Sequence, residues 1–152
     1  MTRIVNHLYL AGIDEVIDEV ESREHSITHI LNVAEEITCD RSDEYSYLHV
    51  PITDDGQDDI SLILDICADW IHNAIVNGGT IMVHCWGGVS RSACIVIAYM
   101  VKYRSMSVDT AYYVTRNKRL IIDPWRFYLD QVRRWADTQK DLLYVDDFIV
   151  KT

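Results

Sequence analysis

The spacing of apolar residues changes rhythm several times along the chain, and each change marks an element. Ile4, Val5, Leu8, Tyr9 and Leu10 crowd the stretch from Arg3 to Gly12, predicting two short strands or one bent strand that ends at the glycine. Ile13, Val16, Ile17 and Val20 then recur at helical spacing, with Asp14, Glu15, Asp18 and Glu19 between them as a solvated acidic face. Residues 28–34 and 45–52 read as strands joined by a polar connection over 35–43. A broad apolar face of Ile60, Ile63, Leu64, Cys67, Trp70, Ile71, Ala74 and Ile75 predicts a helix over 60–76, stopped by Asn77-Gly78-Gly79.

Ile81, Met82 and Val83 follow as a short buried strand, and the apolar run 93–101 as a buried helix. Ser107 is placed to cap a helix opening at Val108, which ends among Arg116, Lys118 and Arg119. Asp123 and Pro124 read as the cap and first residue of a last helix, with Trp125, Phe127, Leu129, Val132 and Trp135 on or near its buried side.

A length of 152 residues suits one domain whose core is large enough to need neither disulfide nor metal. The four cysteines, Cys39, Cys67, Cys85 and Cys94, lack Cys-x-x-Cys spacing and fit a reducing compartment. The start of the chain does not read as a targeting signal, and no apolar run approaches the ~20 residues that span a bilayer. A cytoplasmic protein, open to the nucleus as well, with no membrane partner is expected. A net charge of −10 argues against nucleic acid and anionic lipid, because both reward basic surfaces.

Between the buried strand and the buried helix lies His84-Cys-Trp-Gly-Gly-Val-Ser-Arg-Ser92. A loop entering a helix N-terminus carries unpaired N–H groups and the positive end of the helix dipole, which together hold a phosphate-sized anion. Gly87 and Gly88 let the backbone curl so that the N–H groups of Trp86, Gly87, Gly88, Val89, Ser90 and Arg91 converge on one centre above Cys85. That setting favours thiolate over thiol and so makes a nucleophile. Arg91 adds a planar fork for two phosphate oxygens, and Ser92 a hydroxyl that can hydrogen-bond the sulfur and ease its departure. His84 projects to the side opposite Cys85 and reads as its support rather than as a base. Trp86 has two readings, packing behind the loop or flanking the pocket and touching substrate, and the sequence leaves both open.

His-Cys-x5-Arg-Ser in this setting resembles the signature of the cysteine-dependent protein phosphatases, most nearly the small atypical dual-specificity phosphatases. The resemblance runs from about Arg3 to about Trp135. It implies an α/β fold of protein-tyrosine-phosphatase type, with a central mixed, mostly parallel sheet of about five strands flanked by helices. A phosphatase domain over 1–136 and a C-terminal tail over 137–152 follow from it. It implies a phosphoprotein substrate, a phosphocysteine intermediate on Cys85, and neither cofactor nor metal. Asp54, in Val-Pro-Ile-Thr-Asp, is implied as general acid and base, with Asp55 as the alternative, while Asp58 and Asp59 read as caps for the next helix.

The resemblance further implies that Asn32, an amide within an apolar strand, supports the phosphate loop. Arg119 either simply suits a helix C-terminus or borders the pocket as a second anion site. Trp125 stands where the family usually has Asn. The chain has little spare length for deepening the pocket, which favours a shallow site open to phosphotyrosine, phosphoserine and phosphothreonine alike. Leu142, Leu143, Tyr144, Val145, Phe148, Ile149 and Val150 make the tail too apolar to hang free, so it is expected to dock on the domain or on a second copy as a homodimer. An RNA 5′-phosphatase on the same scaffold is disfavoured by the acidic charge, and a catalytically silent phosphoprotein-binding module would have no use for a nucleophile.

Overall fold

Side chains alternate between two apolar faces along β1 (Thr2–Val5), β2 (Leu8–Ala11), β3 (His29–Ala34), β4 (Ser46–Ile52) and β5 (Ile81–His84). Leu8, Leu10, Leu31, Val33, Ile81 and Val83 enter one core, whereas Tyr9, Ala11, Ile30 and Met82 enter the other. The structure, a computed structural model, describes the backbone of residues 1–150 and the side chains of residues 1–141. The strands form one sheet in the order β1-β2-β5-β3-β4. β2, β5, β3 and β4 run parallel and β1 is antiparallel to β2, the mixed, mostly parallel arrangement that the resemblance implied.

Parallel neighbours need crossovers, and the helices supply them. α1 (Ile13–Ser22) places Val16 in the smaller core. α2 (Ser61–Val76), α3 (Arg91–Arg104), α4 (Val108–Lys118) and α5 (Arg126–Val150) gather over the larger one. α3 is buried all the way from Arg91 to Met100, which is why its sequence is apolar on every side. Its last turn is tied to α2, with Lys102 Nζ 2.7 Å from Asp65 and the Tyr103 hydroxyl donating to Asp69 at 2.6 Å.

Parallelism has one consequence for function. The C-terminal ends of β2, β3, β4 and β5 share an edge of the sheet, so Gly12, Glu36, Asp54 and Cys85 emerge side by side although they are scattered along the chain.

Several local expectations need correction. The acids of α1 are not all solvated: Glu19 is buried and accepts from the backbone N–H of His25 at 3.0 Å, and Glu15 turns inward to Gly12 and Arg119. Asp59 accepts from the N–H of Ser61 at the start of α2, but Asp58 folds back onto the N–H of Thr53 at 2.7 Å. α5 begins at Arg126 rather than Pro124: the Leu129 N–H donates to the Trp125 carbonyl at 3.0 Å, which makes Trp125 the residue that precedes the first turn. Trp125 and Phe127 are exposed, and Tyr128 is the aromatic that α5 buries near its start. The backbone of α5 continues unbroken to Val150, but the apolar side chains from Leu142 to Val150, on which the docking expectation rests, lie outside the described residues.

Candidate active site

The loop between β5 and α3 is held from behind by its carbonyls. The Trp86 carbonyl accepts from Ile13 N–H at 2.8 Å, that of Gly87 from Arg119 Nη2 at 3.3 Å, that of Gly88 from Arg119 Nε at 2.9 Å, and that of Val89 from Asp123 N–H at 2.9 Å. In a planar trans peptide the N–H points opposite to the carbonyl before it. With four successive carbonyls turned into the protein, the N–H groups of Gly87, Gly88, Val89 and Ser90 face the other way, toward a cavity of about 510 Å3 that Cys85 and Arg91 line. Gly88 has φ +63°, and a Cβ there would lie 2.6 Å from the Ala11 carbonyl. Gly87 needs no such exemption, since a Cβ would meet only a Val89 methyl, at 3.3 Å.

Cys85 forms the floor, and its Sγ is 3.1 Å from Ser92 Oγ. His84 Nδ1 donates to the Cys85 carbonyl at 3.2 Å, and burial pushes its imidazole down to about 4, so it is neutral at ordinary pH. Burial pushes the thiols of Cys67 and Cys94 up to about 12, which keeps both protonated; Cys39 is exposed.

Arg91 is almost wholly buried, with one end of its guanidinium fully engaged. Nη1 and Nη2 each reach a different oxygen of Glu36 at 2.6 Å, and Nη1 also donates to the Ile52 carbonyl at 3.0 Å. Nε makes no hydrogen bond among the described residues, and Asp54 Oδ1 lies 3.4 Å away without hydrogen-bond geometry. A buried, charged donor left unpaired in a cavity wall is a ready partner for an incoming anion. Glu36 was hidden in what reads as a solvated polar connection; its one signal is its position just past the end of a parallel strand. Arg91 in turn holds the Glu36 carboxyl below the usual range.

Asn32 supports that same connection and not the phosphate loop. Its Nδ2 donates to the Ile37 carbonyl at 2.7 Å and to the Tyr47 hydroxyl oxygen at 3.0 Å, while Oδ1 accepts from Ala34 N–H at 3.0 Å. It therefore reaches the site only through the turn that carries Glu36.

Asp54 lines the cavity with its side chain 59% exposed. Its loop is staked by α5 and the segment before it. The Tyr128 hydroxyl donates to the Thr53 carbonyl at 2.7 Å, Trp125 Nε1 to the Asp54 carbonyl at 3.0 Å, and Gln131 Nε2 to the Asp58 carbonyl at 2.7 Å. Asp55, the alternative acid, is spent inside the loop, accepting from Thr53 Oγ1 and from Gln57 N–H.

Arg119 is not a second anion site. It is 7% exposed, and besides the two loop carbonyls its guanidinium donates to Thr2 Oγ1 at 3.0 Å and to Glu15 at 2.5 Å. Burial raises the Glu15 carboxyl, but hydrogen bonds from Arg119, the Met1 amino group and the Gly12 amide bring it down to about 2. The pair is a buttress behind the loop. The second cation that lines the cavity is Arg126, which is fully out in solvent and was not singled out by pattern. Trp86 stands on the cavity and is 59% exposed, which excludes the reading that packs it behind the loop. Among the described residues no cluster of His, Cys, Asp and Glu is placed to hold a metal ion, and no helix is long and apolar enough to cross a membrane.

Such a site can grip a tetrahedral oxyanion from several sides while keeping a sulfur below it and a carboxyl beside it. Known proteins share both the fold and the sequence. A crystal structure of human DUSP28 superposes with a TM-score of 0.87 at 22% identity, covering 93% of this chain and 99% of that one. Human dual specificity protein phosphatase 16 is 37% identical over 86% of this chain, which spans only 20% of that protein's length. Dual specificity protein phosphatase 1 of Arabidopsis thaliana is 30% identical over 93% of the chain and 70% of its own length. The sequence model of the dual specificity phosphatase catalytic domain matches residues 8–138. With that match covering most of the chain and the phosphate loop at its centre, the protein belongs to the dual specificity phosphatase catalytic-domain family.

Proposed function

We propose that the chain is a protein phosphatase that hydrolyses phosphomonoesters on phosphoprotein substrates through a phosphocysteine on Cys85. The observation that carries this reading is the convergence of three groups on one cavity: the Cys85 sulfur with its Ser92 hydroxyl at 3.1 Å, the unpaired Nε of Arg91, and the open carboxyl of Asp54.

The loop N–H groups and the Nε side of Arg91 bind the three non-bridging oxygens. The Cys85 thiolate then forms a bond to phosphorus as the bond to the ester oxygen breaks, and Asp54 gives its proton to that oxygen. Charge shifts onto groups already surrounded by fixed donors, so little reorganisation is needed as the barrier is crossed. In the second step a water attacks phosphorus, Asp54 as carboxylate takes the water's proton, and the S–P bond breaks. Ser92 Oγ donates to the sulfur as it leaves. Glu36 holds the far end of the Arg91 guanidinium, so the phosphate-facing side keeps one orientation.

Steady-state hydrolysis of an aryl phosphate and of phosphopeptides tests the reading. Cys85→Ser is expected to lose on the order of 10^4-fold or more in kcat/KM, the scale seen when an enzyme loses its nucleophile. Substantial turnover by folded Cys85→Ser would remove the covalent route.

A further inference from the structure

Two of the four tryptophans stand exposed at the same pocket, where a loop needing only to bind phosphate has no use for an indole. Trp86 is 59% exposed and Trp125 49%, and they reach the cavity from different parts of the chain. Neither rides on a loose segment. The Trp86 carbonyl is fixed by Ile13 N–H. Trp125 is fixed more thoroughly: its N–H donates to Ser90 Oγ at 2.9 Å, its indole N–H donates to the Asp54 carbonyl at 3.0 Å, and its ring covers Gly56, where a Cβ would lie 3.3 Å from Trp125 Cγ. A wall held this way loses little conformational entropy when a ligand packs on it.

We infer that Trp86 and Trp125 are specificity residues, aromatic walls that make the pocket select phosphotyrosine over phosphoserine and phosphothreonine; this rests on the phosphatase reading above. The phosphorus must reach Cys85, so whatever is joined to the ester oxygen leaves through the cavity that the two tryptophans also line. In phosphotyrosine that is a planar ring, which packs on the indoles offset or edge-on and keeps the peptide backbone above them. In phosphoserine a single methylene separates the ester oxygen from Cα. The backbone itself would then be drawn against the indoles, and its N–H and carbonyl groups would lose water for little return. Indole offers one donor and no acceptor, and the Trp125 donor is already committed to Asp54. The selectivity is thus narrower than chain length alone suggested.

The test compares kcat/KM for one peptide sequence carrying phosphotyrosine, phosphothreonine or phosphoserine. Wild type is expected to prefer phosphotyrosine by about 10^2-fold, each aromatic contact contributing up to about tenfold. Trp86→Ala and Trp125→Ala should each cut the phosphotyrosine-to-phosphothreonine ratio by about fivefold to tenfold. Trp125→Phe keeps a ring but gives up the bond to Asp54, so it should lower kcat for all three peptides while holding the ratio. Should Trp125→Ala fail to fold, the exposed Trp86 decides alone. A ratio unchanged in Trp86→Ala, or a wild type indifferent to the three peptides, overturns the aromatic-wall inference and leaves the phosphatase reading standing. Hydrolysis of none of the three by wild type removes both.

Discussion

The phosphate loop and the Asp54 loop meet at one cavity but are built in opposite ways. In the first, successive carbonyls are tied to protein and the side chains of Arg91 and Ser92 are buried. In the second, the backbone is pinned by Tyr128, Trp125 and Gln131 while the Asp54 carboxyl stands open to water. The contrast follows from what each must do. Donors that stabilise developing charge help most when they do not move. An acid that hands a proton to a leaving group and takes one back from water needs access to both.

Asp54→Asn should give the largest effect that separates the two loops. Its kcat is expected to fall by about 10^2- to 10^4-fold with a phosphoserine peptide, and far less with a nitrophenyl ester whose leaving group needs no proton. Equal losses on both substrates would argue that Asp54 positions rather than protonates. On the rigid side, Arg119→Lys replaces the planar fork, whose Nε and Nη2 reach the Gly88 and Gly87 carbonyls separately, with one ammonium that cannot keep that geometry, so Gly87 and Gly88 gain freedom. A kcat lower by about 10- to 100-fold, on both kinds of ester alike, is expected from a displaced loop. Glu36→Gln is smaller: it keeps one acceptor for Arg91 and should raise KM for phosphomonoesters and lower kcat by about tenfold or less.

Stability against pH gives the gentlest probe. His84 binds a proton near 6.5 when unfolded but only near 4 when folded. Between those values the unfolded chain holds more protons. Stability is therefore full above about pH 6.5 and declines as pH falls toward 4, by at most ~3 kcal/mol. Glu15, depressed from 4.5 to about 2, takes over below that and loses its contribution as pH falls from 4.5 toward 2. Urea midpoints measured from pH 7 to 3 should show the first decline in wild type and its absence in His84→Gln.

The same contrast explains what could be read from the sequence. The phosphate loop lies in consecutive residues, so Cys85, Arg91, Ser92 and Gly88 stand in a recognisable order, and apolar rhythm gave the strands and helices around them. Ser107 was legible as a cap because its partner, Thr110 N–H, is local. Glu36, Trp125 and the inward turn of Arg119 were not, because their partners lie far along the chain and are brought near only by the strand order. Charged residues in a polar connection or at a helix end look solvated until a partner appears. Asn32, an amide inside an apolar strand, must find partners, but those partners are Ile37, Tyr47 and Ala34, none of which a pattern could name.

The most direct test is to quench Asp54→Asn during turnover of nitrophenyl phosphate, whose leaving group needs no proton so that only the second step is impaired, and weigh the peptide that contains Cys85. A phosphocysteine mediated by this loop predicts the added mass of one phosphoryl group on Cys85, absent when Cys85→Ser is treated in the same way. Turnover with that peptide unmodified throughout, or a phosphoryl group found on another residue, would contradict it.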